Sequence, residues 1–172
     1  KLIHPHIGVI TNIGEAHIEN FKNIHGIAKA KAEIIDAINE NGTIILNRDD
    51  RFFKYLYKKS KLKKLNIITF GKDRKSDICL IKIINNKNLV KITVKIKNQK
   101  INLEIKNINI YNVLASLAVM HKLNLNLNSL KKIFRNSEPT EGRGKMHFVS
   151  RYNKRFRLID ESYNANPLSV KN

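Results

Sequence analysis

The chain has 172 residues, 42% hydrophobic and 27% charged, with a formal net charge of +19; this excludes a disordered polar chain and leaves one domain, or one domain with part of another. The single cysteine, Cys79, excludes an internal disulfide framework and suits a reducing cytoplasm, and no apolar run is long enough to insert across a bilayer. The lysines are spread along the whole chain among many Ile and Asn residues, without aromatic interleaving or zinc-finger spacing, so non-specific, salt-sensitive sticking is expected and no specific nucleic-acid partner.

Ile7 to Thr11 is a short apolar run that ends in polar residues, the pattern of a buried parallel strand. Asn12, Glu15 and His17 follow in a loop. From Ile24 to Ile38 the apolar residues recur with helical period, and Ile24, Ile27, Ala28, Ile34, Ile35 and Ile38 share a stripe. Asn23 is the candidate N-cap, and Gly42 the stop. At about 100° per residue, Lys31 falls in the middle of the stripe. Lys29 falls on the wet side, four residues before Glu33, within reach of an ion pair. A lysine facing a core must find a partner or lose its charge. Snorkelling of Lys31 to the surface is the even-weighted alternative. Thr43 to Leu46 is a second buried strand, so strand, helix and strand imply a βαβ crossover in an α/β sheet. Ligands of such sheets bind beyond the carboxyl ends of the strands. The loops Asn12 to His17 and Asn47 to Asp50 are therefore expected to face one crevice.

Arg51 to Lys64 has the composition of a basic surface helix, and Asn66 to Phe70 of a third buried strand closed by Gly71. Alternation then takes over. Ile92, Val94 and Ile96 face one side and Lys91, Thr93, Lys95 and Lys97 the other, with Ile101, Leu103 and Ile105 inward on the return. This predicts an antiparallel hairpin turning at Asn98-Gln99, in a small sheet with Ile78 to Ile84. Helical period resumes at Asn107, a candidate cap, and Ile110, Leu114, Leu117, Ala118 and His121 share a face. His121 there is expected to be a satisfied core or helix-end histidine. Ser129 starts a short helix, Pro139 to Gly144 is a loop, and Phe156 to Asp160 is a last strand.

Three blocks then coincide in order. Thr-Asn-Ile-Gly-Glu-Ala-His, with Ala-Lys-Ala-Lys-Ala-Glu-Ile and Ile-Leu-Asn-Arg-Asp-Asp behind it, resembles the central domain of the Mur ligase family. Asn-Ile-Tyr-Asn-Val-Leu-Ala resembles that family's adenine-side helix. Gly-Arg followed by Asp-Glu-Ser-Tyr-Asn-Ala-Asn-Pro is similar to the branch that attaches D-alanyl-D-alanine. The resemblance covers nearly the whole chain. It implies an α/β fold, a mostly parallel sheet with flanking helices plus a small antiparallel hairpin sheet. Residues 1–159 would be part of the central ATP-binding domain, and 160–172 the hinge and the start of a C-terminal domain.

The implied activity is that of an ATP-dependent amide ligase of peptidoglycan-precursor synthesis, cytoplasmic and taken as a monomer. ATP would phosphorylate the terminal carboxylate of UDP-N-acetylmuramoyl-tripeptide, the amine of D-alanyl-D-alanine would attack the acyl phosphate, and phosphate and ADP would leave. In the family the residues matching His17 and Lys31 belong to a Mg²⁺ site, the lysine as a carbamate. The match to Asn109 holds the adenine, that to Asp160 the ribose, and that to Arg143 lies near the phosphates. Asn12, at the end of the first strand, is placed with this nucleotide-binding set. The 172 residues contain no Gly-x-x-x-x-Gly-Lys-Ser/Thr. The family carries that loop upstream of Thr11, so the chain is expected to be an incomplete part, inactive alone. Lys106-Asn107-Ile108-Asn109 also stands where the family has Gly-x-His-Asn. The alternatives are a folylpolyglutamate-type ligase of the same superfamily and a basic, non-catalytic nucleic-acid-binding module.

Overall fold

A computed structural model of the chain describes residues 3–14, 21, 23–86, 89–106, 109–137 and 140–163, with the backbone alone at 128 and 130. The elements follow in the order β1 (Ile7–Ile10), α1 (Ile24–Ala37), β2 (Thr43–Asn47), α2 (Phe53–Leu62), β3 (Asn66–Gly71), β4 (Ile78–Asn85), β5 (Val90–Ile96), β6 (Gln99–Ile105), α3 (Ile110–Lys122), a 3-10 turn, α4 (Leu130–Asn136), β7 (Lys145–Arg151) and β8 (Lys154–Asp160). The first six strands form one sheet in chain order. Pairings β1–β2, β2–β3 and β3–β4 are parallel, and β4–β5 and β5–β6 antiparallel. The expected α/β class holds.

β2 shows why. All five of its residues are buried. Ile44 and Leu46 pack with α1 and α2 on one face, and Ile45 packs with α3 on the other. A strand covered on both faces has no wet side to alternate with, which is why its middle, Ile44-Ile45-Leu46, is apolar without alternation. α1 lays Ile27, Ala28, Ala32 and Ile35 on its side of the sheet. α3 covers the opposite side with Val113, Leu114, Leu117 and Ala118. His121 is half-buried in the last turn of α3.

Asn23 caps α1 as expected, its Oδ1 accepting the Gly26 N–H at 3.1 Å. The helix ends at Ile38, four residues before the expected stop. Ile38 is extended (ψ 136°) and stays buried, and the next N–H, of Asn39, donates to Pro5 O at 3.0 Å. Burying Ile38 against the strands wins over another helical turn. α3 begins at Ile110, and its cap is Asn109; Asn107, the expected cap, lies outside the described residues.

The alternating run folds as the predicted hairpin, with Ile92 opposite Leu103 and Val94 opposite Ile101, all buried. Its turn is Lys97-Asn98, one residue earlier than expected, with Lys97 left-handed at φ 52°. The antiparallel strands are continuous with the parallel ones. β4 pairs Ile78 and Cys79 with Phe70 and Gly71 in parallel, then runs antiparallel to β5. β7 and β8 form a separate two-stranded sheet. β8 starts two residues before Phe156. β7 escapes sequence reading because most of its residues are exposed on both sides, which leaves no period-two burial to detect. No helix among the described residues is long and apolar enough to cross a membrane.

The core assignment predicts that Leu114→Ala, at a fully buried position, lowers unfolding free energy by about 2–5 kcal/mol. Leu62→Ala, at a position 76% exposed, should stay within about 0.5 kcal/mol of the parent. Urea unfolding of both variants checks the pair.

Candidate functional site

The carboxyl ends of β1, β2 and β3 are drawn together by one turn, Asn47 to Asp50. Asn47 donates from Nδ2 to Thr11 O at 2.9 Å, and its Oδ1 accepts the Asp49 N–H at 3.0 Å. Asp50 reaches to the same loop, Oδ2 accepting the Ile13 N–H at 2.6 Å while Oδ1 accepts the Phe52 N–H at 2.8 Å. Asp49 reaches the other way. Its carboxylate accepts the N–H groups of Lys72 at 2.6 Å and Asp73 at 3.0 Å, and the Tyr111 hydroxyl at 3.0 Å. The Arg48 N–H donates to Phe70 O at 2.8 Å, and its guanidinium stands 3.4 Å from the Asp73 carboxylate. The described part of the loop after β1 therefore meets this turn, in line with the crevice expectation, and the loop after β3 and the start of α3 join it; residues 15–17 of the expected loop lie outside the described residues.

Gly71 makes the approach of Asp49 possible. Its φ is +153°, and a Cβ there would stand 2.7 Å from an Asp49 carboxylate oxygen. Only a glycine leaves that space and adopts that backbone at little cost. Burial pushes the Tyr111 phenol up to about 12, helped by its hydrogen bond to Asp49 and by that carboxylate's charge. It is a donor throughout the neutral range. The Lys72 ammonium lies 5.5 Å from the Tyr111 ring centroid.

Lys31 sits on the crevice side of α1. Its Nζ donates to Asn12 O at 2.9 Å, and the residue is exposed. The snorkelling alternative is the one that holds, because beyond Ile10 the stripe faces the loop after β1 and not the sheet. Asn12 is itself exposed and contributes its carbonyl. His17 lies outside the described residues. Asn109 is at the start of α3, its Oδ1 accepting the Tyr111 N–H at 2.9 Å.

Arg143, in the loop before β7, and Asp160, at the end of β8, lie close in the chain fold because Asp160 bonds both neighbours of Arg143, Gly142 and Gly144. Asp160 accepts the Gly142 N–H at 2.9 Å, the Ser162 N–H at 3.1 Å and the Ser162 hydroxyl at 2.6 Å. The Ser162 hydroxyl, then the two N–H groups, hold its carboxyl below the usual value. The Arg143 guanidinium lies 4.6 Å from the Tyr163 ring centroid, within cation–π range. Residues 164–172, with the Asn-Ala-Asn-Pro of the last block, lie outside the described residues.

Two groups of site residues thus emerge: Asn12, Lys31 and Asn109 around the crevice turn, and Arg143 with Asp160 in the hairpin. Asp49 and Tyr111 escaped the sequence reading as individual residues, and Gly71 was read only as the end of a strand. Their signal was present in the Asn-x-Asp-Asp that follows a buried strand and the glycine that closes the next. Among the described residues no three His, Cys, Asp or Glu side chains converge on a metal position. Asp49 and Asp50 direct their oxygens at backbone N–H groups and the Tyr111 hydroxyl, and Lys31 is engaged as a donor to Asn12 O. The described residues do not by themselves fit Mg²⁺.

The Mur ligase middle domain matches residues 1–120. The chain is 30% identical to the UDP-N-acetylmuramoyl-tripeptide–D-alanyl-D-alanine ligase of Buchnera aphidicola subsp. Baizongia pistaciae (strain Bp), over 99% of this chain and 36% of that protein. A crystal structure of MurF from Acinetobacter baumannii has a TM-score of 0.83 at 26% identity, covering 98% of this chain and 36% of that one. The MurF ligase of Thermotoga maritima in complex with ADP shares the fold, with a TM-score of 0.81 at 23% identity over 98% of this chain and 38% of that one. The chain spans little more than a third of the length of these relatives.

The contact between Gly71 and Asp49 predicts that Gly71→Ala destabilises by about 1–3 kcal/mol, from the strained φ and the displaced carboxylate. Thermal or urea unfolding measures it. An unchanged midpoint would contradict the geometry.

Proposed function

Since the chain belongs to the Mur ligase family, whose middle domain it matches over residues 1–120, we propose that it supplies the middle-domain part of a ligase that adds D-alanyl-D-alanine to UDP-N-acetylmuramoyl-tripeptide at the expense of ATP. The observation that carries this is the alignment of nearly the whole chain with a relative of that name. The Thermotoga structure of the same fold, solved with ADP, supports adenine nucleotide as the cofactor. We place the work in the cytoplasm, where ATP and nucleotide-linked precursors are, and take the protein as a monomer.

In this proposal residues 1–159 form part of the ATP-binding domain, and 160–172 are the hinge and the start of the next one. Asn109 is the adenine-side residue. Its carbonyl oxygen has a second lone pair beyond the one given to Tyr111, so the amide can still pair with both N6 and N7 of adenine. Asp160 keeps an anionic carboxylate across the neutral range for the ribose hydroxyls. Arg143 faces the nucleotide phosphates, its guanidinium oriented by Tyr163. Asn12 completes this set at the mouth of the crevice. The carboxylate of the tripeptide and the γ-phosphate are held for in-line transfer, where positioning and charge neutralisation carry most of the catalysis.

Lys31 and His17 are assigned to Mg²⁺. As a neutral amine, Lys31 can attack CO₂; an N–C bond forms, one proton leaves, and a cation becomes an anion with two carboxylate-like oxygens. Those oxygens, with His17, would supply the hard ligands that the described residues lack for Mg²⁺, and the chemistry such an ion would bring is charge neutralisation. The exposure of Lys31 leaves the amine open to CO₂ from the crevice. Lys29, also exposed but on nearly the opposite side of α1 from Lys31 at about 100° per residue, has no such part. The folylpolyglutamate-type alternative is not favoured, because a D-alanyl-D-alanine ligase aligns with 99% of the chain. The nucleic-acid-binding alternative rests on the charge of +19 alone and predicts binding that survives physiological salt with sequence preference.

The test is Lys31→Ala in the complete ligase, with Lys29→Ala as control. Lys31→Ala should lose activity by at least about a hundredfold, comparable to removal of a metal-supporting or transition-state group, and regain part of it with added short carboxylates. Full activity in Lys31→Ala, or loss confined to Lys29→Ala, would contradict the assignment.

A further inference from the structure

The body of α3 is buried through Val113, Leu114, Leu117 and Ala118, whereas its first turn meets the core only at its edge, through Ile110 and Tyr111. Asn109 and Asn112 are exposed, and Ile110 and Tyr111 only half-buried. That turn is tied down by a relay. Asp49 is itself held by Asn47 Oδ1 at its N–H, and its Oδ2 accepts the Tyr111 hydroxyl at 3.0 Å. The backbone N–H of the same Tyr111 donates to Asn109 Oδ1 at 2.9 Å. One residue, Tyr111, thus receives its position from the crevice turn and passes it to the Asn109 amide. Asp49 would close the loop after β3 with its two backbone bonds alone. The phenol bond adds nothing to that loop; it joins a residue 62 positions away. A half-buried phenylalanine ring would pack much as the tyrosine does, so the hydroxyl serves orientation more than burial.

We propose that Asp49 and Tyr111 are positioning residues of the nucleotide site, Asp49 fixing Tyr111 and Tyr111 fixing the plane of the Asn109 amide that reads the base. This deepens the proposed function and rests on its assignment of Asn109 to adenine. The relay acts on the base end alone, so it sets affinity and selectivity for adenine and leaves phosphate contacts untouched. The raised phenol is consistent with a hydroxyl that never surrenders its proton to solvent in the working range.

The experiment uses the chain of 172 residues, isotope-labelled, with adenosine, guanosine and inorganic diphosphate as separate probes. The side-chain amide signal of Asn109 is followed by NMR in the parent, Tyr111→Phe and Asp49→Asn, with Thr93→Val on the remote hairpin as control. Adenosine should bind about tenfold more weakly to Tyr111→Phe and Asp49→Asn, the effect of losing one charge-assisted hydrogen bond. Its preference over guanosine should shrink, while the response to diphosphate stays as in the parent. The Tyr111 phenol should ionise at lower pH in Asp49→Asn than in the parent, while burial, the larger cause, still holds it above the ordinary phenol value. A parent that responds to adenosine, with variants responding equally, would overturn this proposal and leave the Asn109 assignment standing. A parent whose Asn109 signal ignores adenosine would overturn that assignment and this proposal with it. If Asp49→Asn fails to fold, Tyr111→Phe decides alone, since it keeps the ring in place.

Discussion

Two consecutive carboxylates and one asparagine at the end of β2 hold the carboxyl-end edge of this sheet together. A parallel sheet leaves its strand ends as separate loops, each with backbone groups that need partners. Here Asn47 and Asp50 take those of the loop after β1, and Asp49 takes those of the loop after β3. Charge-assisted bonds to backbone N–H groups are short and strong, and these stand at 2.6 to 3.0 Å. The labour is divided between adjacent residues, Asp50 reaching the loop after β1 and Asp49 the loop after β3.

What the turn organises depends in turn on burial of the strand before it. β2 is closed in by α1 and α2 on one face and by α3 on the other. Its end is therefore the most fixed point at the crevice. Lys31 on α1 and Tyr111 on α3 flank it from the two layers, and both make polar contacts with the strand-end loops and turn: Lys31 with Asn12 O, Tyr111 with Asp49. The proposed roles divide along the same line, with the magnesium-supporting lysine on the α1 side and the adenine-side asparagine on the α3 side.

Much of this was legible in the sequence, for physical reasons that differ by element. The buried strands gave themselves away as apolar runs, and the β5–β6 hairpin by strict alternation with lysines on its wet face, because burial forces those patterns. The meeting of the Asn12 and Asn47 loops followed from βαβ topology alone. Other features were not legible. The end of α1 was misplaced because the burial of Ile38 and the bond from Asn39 to Pro5 are tertiary and leave no cap signature. Lys31 lies in the apolar stripe by angle, yet it is exposed, since a helix wheel does not know where the sheet beneath it stops. The Asp49–Tyr111 contact links residues 62 apart and has no local pattern. β7 was missed because an exposed two-stranded sheet imposes no burial period.

The direct measure of the account is amide hydrogen exchange, residue by residue, in the parent chain and in Asp50→Ala. If the turn at the end of β2 holds the crevice, the Ile13 and Phe52 amides should lose protection together, with the loop after β1 loosened around them. The amides within β2 and β3 should keep theirs, because the two-sided core that buries them is unchanged. Retained protection at Ile13 would contradict the account, as would a loss spread evenly over the whole sheet.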